Sequence, residues 1–530
     1  MKILLCQSSP KVNQIRHNAD IILSALQRGI NADVDVILLP SFMTTGYPPN
    51  LEDTIIWQQQ KSSANHLSKL IKRSGKKITL IYGGIEEDVL FCNNARRYNV
   101  AYVVNDQDVR TVRKQLLPTY DLFNEAKYFH PGEKNSDPIP IELNDGTTKF
   151  CNILIGQDID NFNFKSSKCL APNSELIDPL SSLHNSYPLF ILASAPFYLN
   201  SLSATNSLLQ NISSSLKCPV FWCNSSSTNY NIMSAGHSSI VINGQVFNCK
   251  AFQDDEMIFD TATNERIGYI DVAPKIHDIP IQPEDVNTWY LYRSLVSYIQ
   301  EQCRALGVSK VVFQAKDNLQ SALVATLAAD AIGSENVTGV AIGLALNYFP
   351  LLAKRLFICF LEVDQSYTLL QACKDALLSG AKQVYNKDVT PVHIQQGIND
   401  IILRYFADEY KTIILGAASK YDVIQGGYVD NESYYPFGDL FNNELFKLAE
   451  FINKYRVGLV PSQLVKKCNE GLNEVVRLII EEGQDLITVQ KQFPKLGVYE
   501  INRQIRSTKY PRNYLKIKEG TIREGHRFPS

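Results

Sequence analysis

Short runs of β-branched and aliphatic residues recur along the first half of the chain, and helical patterns separate them. The runs are KILLC (2–6), DVILLP (35–40), ITLIYGG (78–84), YNVAYVV (98–104), CNILIG (151–156) and PLFILAS (188–194). Between the first two runs, Ile15, Ala19, Ile22 and Leu26 recur at the spacing of one helix face. Continuous apolar strands separated by helices predict an α/β layer protein, with its functional residues in the loops that follow the strands.

The composition limits the classes of protein that the chain could represent. Its 530 residues, at about 150 residues per domain, predict two to four domains, and 45% hydrophobic residues exclude a disordered chain. The 52 basic and 54 acidic residues give a net charge of −2, so we expect neither a nucleic-acid nor a membrane partner. The N-terminal apolar run is too short for a signal peptide, and the eleven cysteines form no CxxC pair. We therefore expect a cytoplasmic protein with reduced thiols and no metal site.

Three segments of the first half resemble a known hydrolase superfamily. They are LLPSFMTTGYPPNLED (38–53), YGGIEE (82–87) and RKQLLPTYDLFNEAKYFHPG (113–132). They are similar to the nitrilase (carbon–nitrogen hydrolase) superfamily, and more narrowly to the glutaminase domain of glutamine-dependent NAD synthetase. The resemblance implies a nitrilase-like α-β-β-α sandwich over residues 1–275. It also implies hydrolysis of glutamine by a Glu–Lys–Cys triad, in which Cys attacks the amide carbon, Glu acts as general base and Lys stabilises the oxyanion.

The triad positions are only partly occupied by the family's residues. Lys114 stands at the position of the family lysine, whereas Ser41 replaces the glutamate and Gly156 replaces the cysteine. Cys151 lies five residues upstream, where strand alternation directs its side chain to the opposite face. Because loss of a covalent nucleophile costs about a million-fold in a comparable protease, we expect no glutaminase activity.

A second interpretation of these positions is purely structural. Ser41 could be a turn residue at a strand end, and Lys114 could be a surface lysine. The surrounding twenty-residue match favours the family position for Lys114. The resemblance further implies that Tyr120 and Glu125 line a pocket.

The second half begins a new α/β pattern after a predicted linker at 276–287. A β-rich run at 310–314, a strong helix pattern at 321–330 and a second apolar run at 335–343 predict a βαβ unit of a doubly wound sheet. In such folds the loop that enters the helix binds phosphates through backbone N–H groups.

This unit resembles the ATP-pyrophosphatase domain of NAD synthetase. The segment SALVATLAADAIGSENVTGV (321–340) is similar to the one that follows the family's SGGxDS loop. The resemblance implies an adenine nucleotide α hydrolase-like, doubly wound parallel sheet over 288–530, in which that loop cradles pyrophosphate and its Asp helps to hold Mg²⁺. The positions of the loop are occupied here by Lys316, Asp317, Asn318, Leu319, Gln320 and Ser321. Only the final serine is retained, and at about 4 Å the Asp317 carboxylate would repel a phosphate charge by about 4 kcal/mol.

Further family positions in this half have also changed. The segment GLALNYFP (343–350) replaces a polar nucleotide segment, GAASKYD (416–422) stands where the family has TGNKSE, and Asn442 stands where it has a lysine. The tail at 509–529 keeps family-like spacing of basic and aromatic residues. The resemblance implies that this tail docks on the synthetase domain, whereas its composition alone favours a solvated surface.

Together these observations predict a catalytically inactive relative of glutamine-dependent NAD synthetase. We expect a structural or regulatory subunit, either a homo-oligomer or a hetero-oligomer with an intact paralogue, and no functional cofactor. The resemblance implies that the family uses ATP, Mg²⁺, deamido-NAD and glutamine. The alternative is a glutamine-hydrolysing enzyme that makes NAD from these substrates. A third possibility is a sensor that keeps a dinucleotide or glutamine pocket.

Overall fold

The chain forms two compact units, with the boundary between Asp278 and Ile279. The structure is a computed structural model. It describes residues 1–49, 54–89, 95–119, 124–133, 137–162, 169–170, 179–199, 201–229, 232–270, 281–343, 345–363, 371, 375, 391–424, 432–465, 470–507 and 513–518. None of the helices within these ranges is long and apolar enough to cross a membrane.

The first unit contains seventeen described strands and three described α-helices. The strands are β1 (Lys2–Gln7), β2 (Val36–Leu38), β3 (Thr79–Val89), β4 (Ala95–Val104), β5 (Val109–Arg113), β6 (Leu117–Pro118), β7 (Ile139–Glu142), β8 (Thr148–Ile155), β9 (Cys169–Leu170), β10 (Leu189–Ala193), β11 (Val220–Asn224), β12 (Thr228–Asn229), β13 (Ile232–Met233), β14 (Ser239–Ile242), β15 (Gln245–Asn248), β16 (Asp255–Asp260) and β17 (Glu265–Ile270). The helices are α1 (Ile15–Asn31), α2 (Thr54–Ser74) and α3 (Ser201–Leu216). Short 3-10 helices lie at Glu125–Lys127, Gly156–Phe162 and Pro179–Ser182.

Two large sheets of this unit pack face to face. Their strand orders are β17-β16-β1-β2-β3-β4-β5 and β15-β14-β11-β10-β8-β7. Ile3 and Leu5 of β1 share a buried cluster with Ile153 of β8 and Phe190 of β10, which places an apolar core between the sheets. The first sheet packs its other face on α1 and α2, and the second packs its other face on α3. Both faces of the central strands are buried, which explains their continuous apolar runs and confirms the predicted α-β-β-α sandwich.

The second unit is built around a four-stranded sheet. Its strands are β18 (Lys310–Gln314), β19 (Val337–Ile342), β20 (Cys359–Val363) and β21 (Thr412–Ile414). Its described α-helices are α4 (Val286–Leu306), α5 (Leu319–Ile332), α6 (Phe349–Leu356), α7 (Pro391–Tyr410), α8 (Lys420–Ile424), α9 (Asn442–Tyr455), α10 (Glu470–Ile480), α11 (Leu486–Gln492) and α12 (Val498–Ser507), with 3-10 helices at Pro283–Asp285 and Ser334–Asn336.

All neighbouring strands of this sheet are parallel, in the order β20-β19-β18-β21. This arrangement confirms the predicted doubly wound parallel sheet. The chain passes from β18 outward through β19 to β20 and then returns to the other side of β18 to form β21. The direction of winding therefore reverses between β18 and β21, and ligands of such folds bind at the carboxyl ends of the strands at this point.

Candidate functional sites

Lys114 lies in a buried polar cluster of the first unit and not on its surface. It follows β5 directly, and its ammonium donates to Glu125 Oε1 at 2.7 Å and to Gln157 Oε1 at 2.6 Å. The side chains of Lys114 and Glu125 are each 2% exposed. Asn99 donates its side-chain N–H to the other Glu125 oxygen at 3.2 Å. The interpretation of Lys114 as a surface lysine is therefore wrong.

Gly156 lies directly beside this ammonium. It follows the end of β8 in the left-handed region, with φ of +51°. A Cβ placed on it would lie 3.4 Å from the Nζ atom of Lys114, which is ordinary contact. Any side chain at position 156 would therefore project towards Lys114, although a non-glycine residue would pay about 1 kcal/mol or more for this backbone conformation.

The side chain of Asp158 joins the turn that carries Gly156 to the segment after Lys114 by hydrogen bonds. Its Oδ1 atom accepts from the backbone N–H of Gln115 at 3.1 Å and of Leu116 at 2.8 Å. Burial raises the pKa of Asp158 to about 7, while the Lys114 charge and the backbone donors act in the opposite direction. The turn that carries position 156 is thus held against the lysine by a buried carboxyl group.

Ser41 lies at the end of the two sheets that also carries Gly156. It follows β2, is 2% exposed, and donates its backbone N–H to the Ala193 carbonyl at the end of β10 at 3.2 Å. Strand β10 is the neighbour of β8, whose end carries Gly156. A Cβ on Gly83 would lie 2.3 Å from Ser41 Cα, so the backbones of these two segments are in close contact.

The two remaining predictions for this unit have different outcomes. Cys151 lies in the apolar core between the sheets, where burial raises the pKa of its thiol, as strand alternation predicts. Tyr120 lies outside the described residues.

Sequence reasoning missed Gln157, which accepts from Lys114, and Asn99, which donates to Glu125. Gln157 and Asn99 carry no motif of their own, and the only signal was their position within or directly after an apolar strand run. It also missed a cavity of about 260 Å³ beside the turn that carries Glu125. Its lining residues are Leu117, Ala126, Lys127, Tyr128, Phe129, His130 and Pro131.

In the second unit, the loop between β18 and α5 has its own internal hydrogen bonds. Asn318 caps α5 by accepting from the Ser321 backbone N–H at 2.9 Å, and the Ser321 hydroxyl donates to the Gln314 carbonyl at 3.2 Å. The first turn of α5 is therefore stabilised by a side chain of this loop.

Asp317 is directed to a neighbouring helix. Its carboxylate accepts from the backbone N–H groups of Asn347 at 2.7 Å, Tyr348 at 3.1 Å and Phe349 at 2.8 Å, at the start of α6. The N-terminal dipole of α6 stabilises the carboxylate charge. The repulsion of a phosphate by Asp317 stays a prediction.

Gln320 meets two distant residues at the point where the strand order reverses. Its side-chain amide donates to Asn442 Oδ1 at 3.2 Å and to Asp422 Oδ2 at 3.4 Å. Burial lowers the pKa of the Lys316 ammonium, and the smaller effect of the Asp422 charge acts in the opposite direction. Gln320, Asp422 and Asn442 come from three separate segments with changed positions and meet at one place in the second unit. We call this place the crevice.

This crevice does not fit a divalent cation. Mg²⁺ requires near-octahedral oxygen ligation and usually binds through carboxylates and phosphates. The Asp422 Oδ2 atom already accepts from the Ser419 backbone N–H at 2.9 Å and hydroxyl at 2.8 Å, in addition to Gln320. Within the described part of the chain, no group of three His, Cys, Asp or Glu residues is placed to hold a metal.

Comparisons with known proteins agree with both units. The family model described as NAD synthase matches residues 291–470. A glutamine-dependent NAD(+) synthetase of Thermotoga maritima is 22% identical, and the match covers 98% of this chain and 95% of that protein. The chain is therefore similar, over nearly its whole length, to the glutamine-dependent NAD synthetase family.

Solved structures of this family share the fold. A glutamine-dependent NAD(+) synthetase of Cytophaga hutchinsonii has a TM-score of 0.73 at 12% identity, with 100% of this chain and 97% of that chain covered. The enzyme of Acinetobacter baumannii, solved with adenosine diphosphate, has a TM-score of 0.70 at 20% identity and covers 95% of this chain and 92% of its own. The likeness therefore extends over both units.

Proposed function

We propose that this family member is catalytically inactive and serves as a structural or regulatory subunit of an NAD synthetase-like assembly. The observation that carries the proposal is the geometry at Gly156. The position next to the Lys114 ammonium, where a nucleophile would project, has no side chain. Lys114 and Glu125 form a buried pair, so the site has an ammonium and a carboxylate but lacks the atom that would attack an amide.

The chemistry of amide hydrolysis supports this interpretation. A thioester route needs a nucleophilic sulfur, a base that removes its proton and a donor for the oxyanion. Lys114 could serve as the donor, but Ser41 carries no carboxylate to act as the base, and Gly156 has no nucleophile. Removal of the nucleophile alone costs about a million-fold in a comparable protease.

The second unit supports the same proposal. Gln320 donates its side-chain amide to Asp422 and to Asn442, and this set of groups does not fit Mg²⁺. We propose that this chain does not turn over ATP, deamido-NAD and glutamine, the substrates expected for the family, and has no functional Mg²⁺ site.

Direct assays test the proposal. We expect the purified chain to show background rates of glutamine hydrolysis, of ATP–pyrophosphate exchange and of NAD formation from deamido-NAD with ammonia. A rate clearly above background in any of these assays would refute the proposal. It would favour the alternative, a glutamine-hydrolysing NAD synthetase, which the similarity to that family and the Lys114–Glu125 pair support.

A substitution tests the geometric argument at the first site. Gly156→Cys, combined with Ser41→Glu, should gain covalent labelling by a glutamine-like electrophile at position 156, which peptide mapping separates from any labelling of the exposed Cys359. Gly146→Cys is the matched control, since Gly146 also has a positive φ but has no atoms within 4 Å of its would-be Cβ. Equal labelling of both variants would show that position 156 has no special relation to Lys114.

The partners of the chain are also a proposal. We propose either a homo-oligomer or a hetero-oligomer with an intact paralogue, because a family member without activity can still use the family's assembly surfaces. Purification of the tagged chain from its native host would test this. Recovery of a stable homo-oligomer alone would exclude the paralogue.

A further inference from the structure

A segment near the C-terminus of the chain packs into the second unit. The backbone of Tyr435 accepts from the Leu515 N–H at 3.3 Å and donates to the Asn513 carbonyl at 2.8 Å. Leu515 and Ile517 are fully buried. The described part of the tail, 513–518, is therefore docked, as the family resemblance implies, and is not a solvated surface.

Side chains of this segment complete a buried ion network. The Lys518 ammonium donates to Glu444 Oε2 at 2.8 Å and to Glu481 Oε1 at 2.9 Å. The Lys420 ammonium donates to the same Glu481 oxygen at 3.1 Å and to Asp439 Oδ1 at 3.0 Å. The side chains of Lys420 and Asp439 are only 1% and 2% exposed, so these charges are little screened by solvent.

An aromatic ring lies close to both ammonium groups. Nζ of Lys420 lies 5.2 Å and Nζ of Lys518 lies 4.5 Å from the centre of the Phe441 ring. The second carboxylate oxygen of Asp439, Oδ2, accepts from the backbone N–H groups of Ile517 at 3.0 Å and of Lys518 at 2.9 Å. The tail thus contacts the network through its backbone as well as its side chain.

The same network borders the crevice described above. Lys420 directly follows Ser419, whose backbone N–H and hydroxyl bind Asp422. The two lysines and the carboxylates of Asp439, Glu444 and Glu481 carry a formal charge of 2 − 3 = −1. Without Lys518 the sum becomes 1 − 3 = −2, and the excess negative charge lies next to the loop that carries Lys420.

We propose that the segment 513–518 is an ionic strap that holds the crevice loop 416–422 in place. When the strap is docked, Lys518 and Lys420 share Glu481, and the loop is fixed. When the strap is released, Asp439 loses two backbone donors, and Glu444 and Glu481 lose a cation. The carboxylates that hold Lys420 then repel one another, and the loop that positions Asp422 loses its order. The proposal concerns the conformation of the crevice and holds whether or not the chain has catalytic activity.

Hydrogen exchange on the full chain tests the strap. Lys518→Met should speed amide exchange in the segment 416–424 by about tenfold, which corresponds to about 1.4 kcal/mol of local opening free energy. Strands β18 to β20 should keep their protection. Lys495→Met, which removes an exposed lysine of the same unit, should change neither region. Lys518→Arg, which keeps the charge, should retain most of the protection.

Two results would overturn the proposal. Unchanged protection of 416–424 in Lys518→Met would show that the tail does not hold the loop. A uniform loss of protection across β18, β19 and β20 would show that the tail is only part of the core. If Lys518→Met does not fold, Phe441→Leu removes the ring beside both ammonium groups and is judged by the same two criteria.

Discussion

Replacing Lys114 by methionine should strongly destabilise the first unit. The substitution keeps most of the side-chain volume and removes the ammonium that binds Glu125 and Gln157. Glu125 then remains buried, with the Asn99 amide as a donor at 3.2 Å. The glutamate must either stay charged without its cation or take up a proton, and both states cost free energy.

The size of the effect follows from the burial and the distance of the pair. At 2.7 Å and an effective dielectric constant near 20, the Coulomb attraction is about 6 kcal/mol. The loss of hydration of both ions offsets much of this attraction, so the pair contributes little net stability. Removing one partner of a buried pair nevertheless costs about 3–5 kcal/mol. At about 2 °C per kcal/mol for a unit of this size, Tm should fall by about 6–10 °C.

Scanning calorimetry of the full chain measures the shift, and hydrogen exchange of β1 to β5 assigns it to the first unit. Lys69→Met, which replaces an exposed lysine of α2, is the control and should shift Tm by less than about 1 °C. Lys114→Met combined with Glu125→Leu should recover much of the loss, because no buried charge remains unpaired. A Tm for Lys114→Met equal to that of the control would refute the buried-pair reasoning.

Three further predictions concern single groups. Asp317→Ala removes the acceptor for the backbone N–H groups of 347–349 and should cost about 0.5–2 kcal/mol, measured by urea unfolding with faster exchange at the start of α6. Asn318→Ala removes the cap of α5 and should cost a similar 0.5–2 kcal/mol or so, measured in the same way; no change would show that the cap is dispensable. Burial lowers the pKa of His237 from 6.5 to about 4, so the unfolded state binds more protons in this range and stability is lost as the pH falls from about 6.5 to about 4. His237→Asn should lack that loss of stability, which is at most about 3 kcal/mol. The raised pKa of Asp158 changes the stability with the opposite sign in the same pH range. The test is therefore the difference in unfolding free energy between the unchanged chain and His237→Asn, measured as a function of pH.

The folds of both units could be predicted from local pattern. Strands buried on both faces need apolar residues at every position, so runs such as DVILLP and CNILIG identify central strands without any knowledge of their partners. Lys114 could be placed because it lies within a long similar segment. Its partner Gln157 could not, since an amide next to a strand end is common and the hydrogen bond joins residues 43 positions apart.

The crevice of the second unit shows the limit of local pattern more clearly. The family resemblance identified Gln320 and Asn442 as changed positions, but their hydrogen bond joins residues 122 positions apart. The direction of Asp317 could not be predicted either. Its carboxylate can accept from its own loop or from the next helix, and only the packing of α6 beside that loop selects the second.

The sequence by itself determined which chemical groups each position can offer. It shows that position 156 has no side chain, that position 320 carries an amide, and that the apolar runs suit two α/β units. The tertiary structure alone decided which of these groups meet: Gly156 with Lys114, Gln320 with Asn442, and Lys518 with Glu481. The physical reason is that a residue's chemistry is local, whereas a contact between distant residues depends on how the whole chain folds between them.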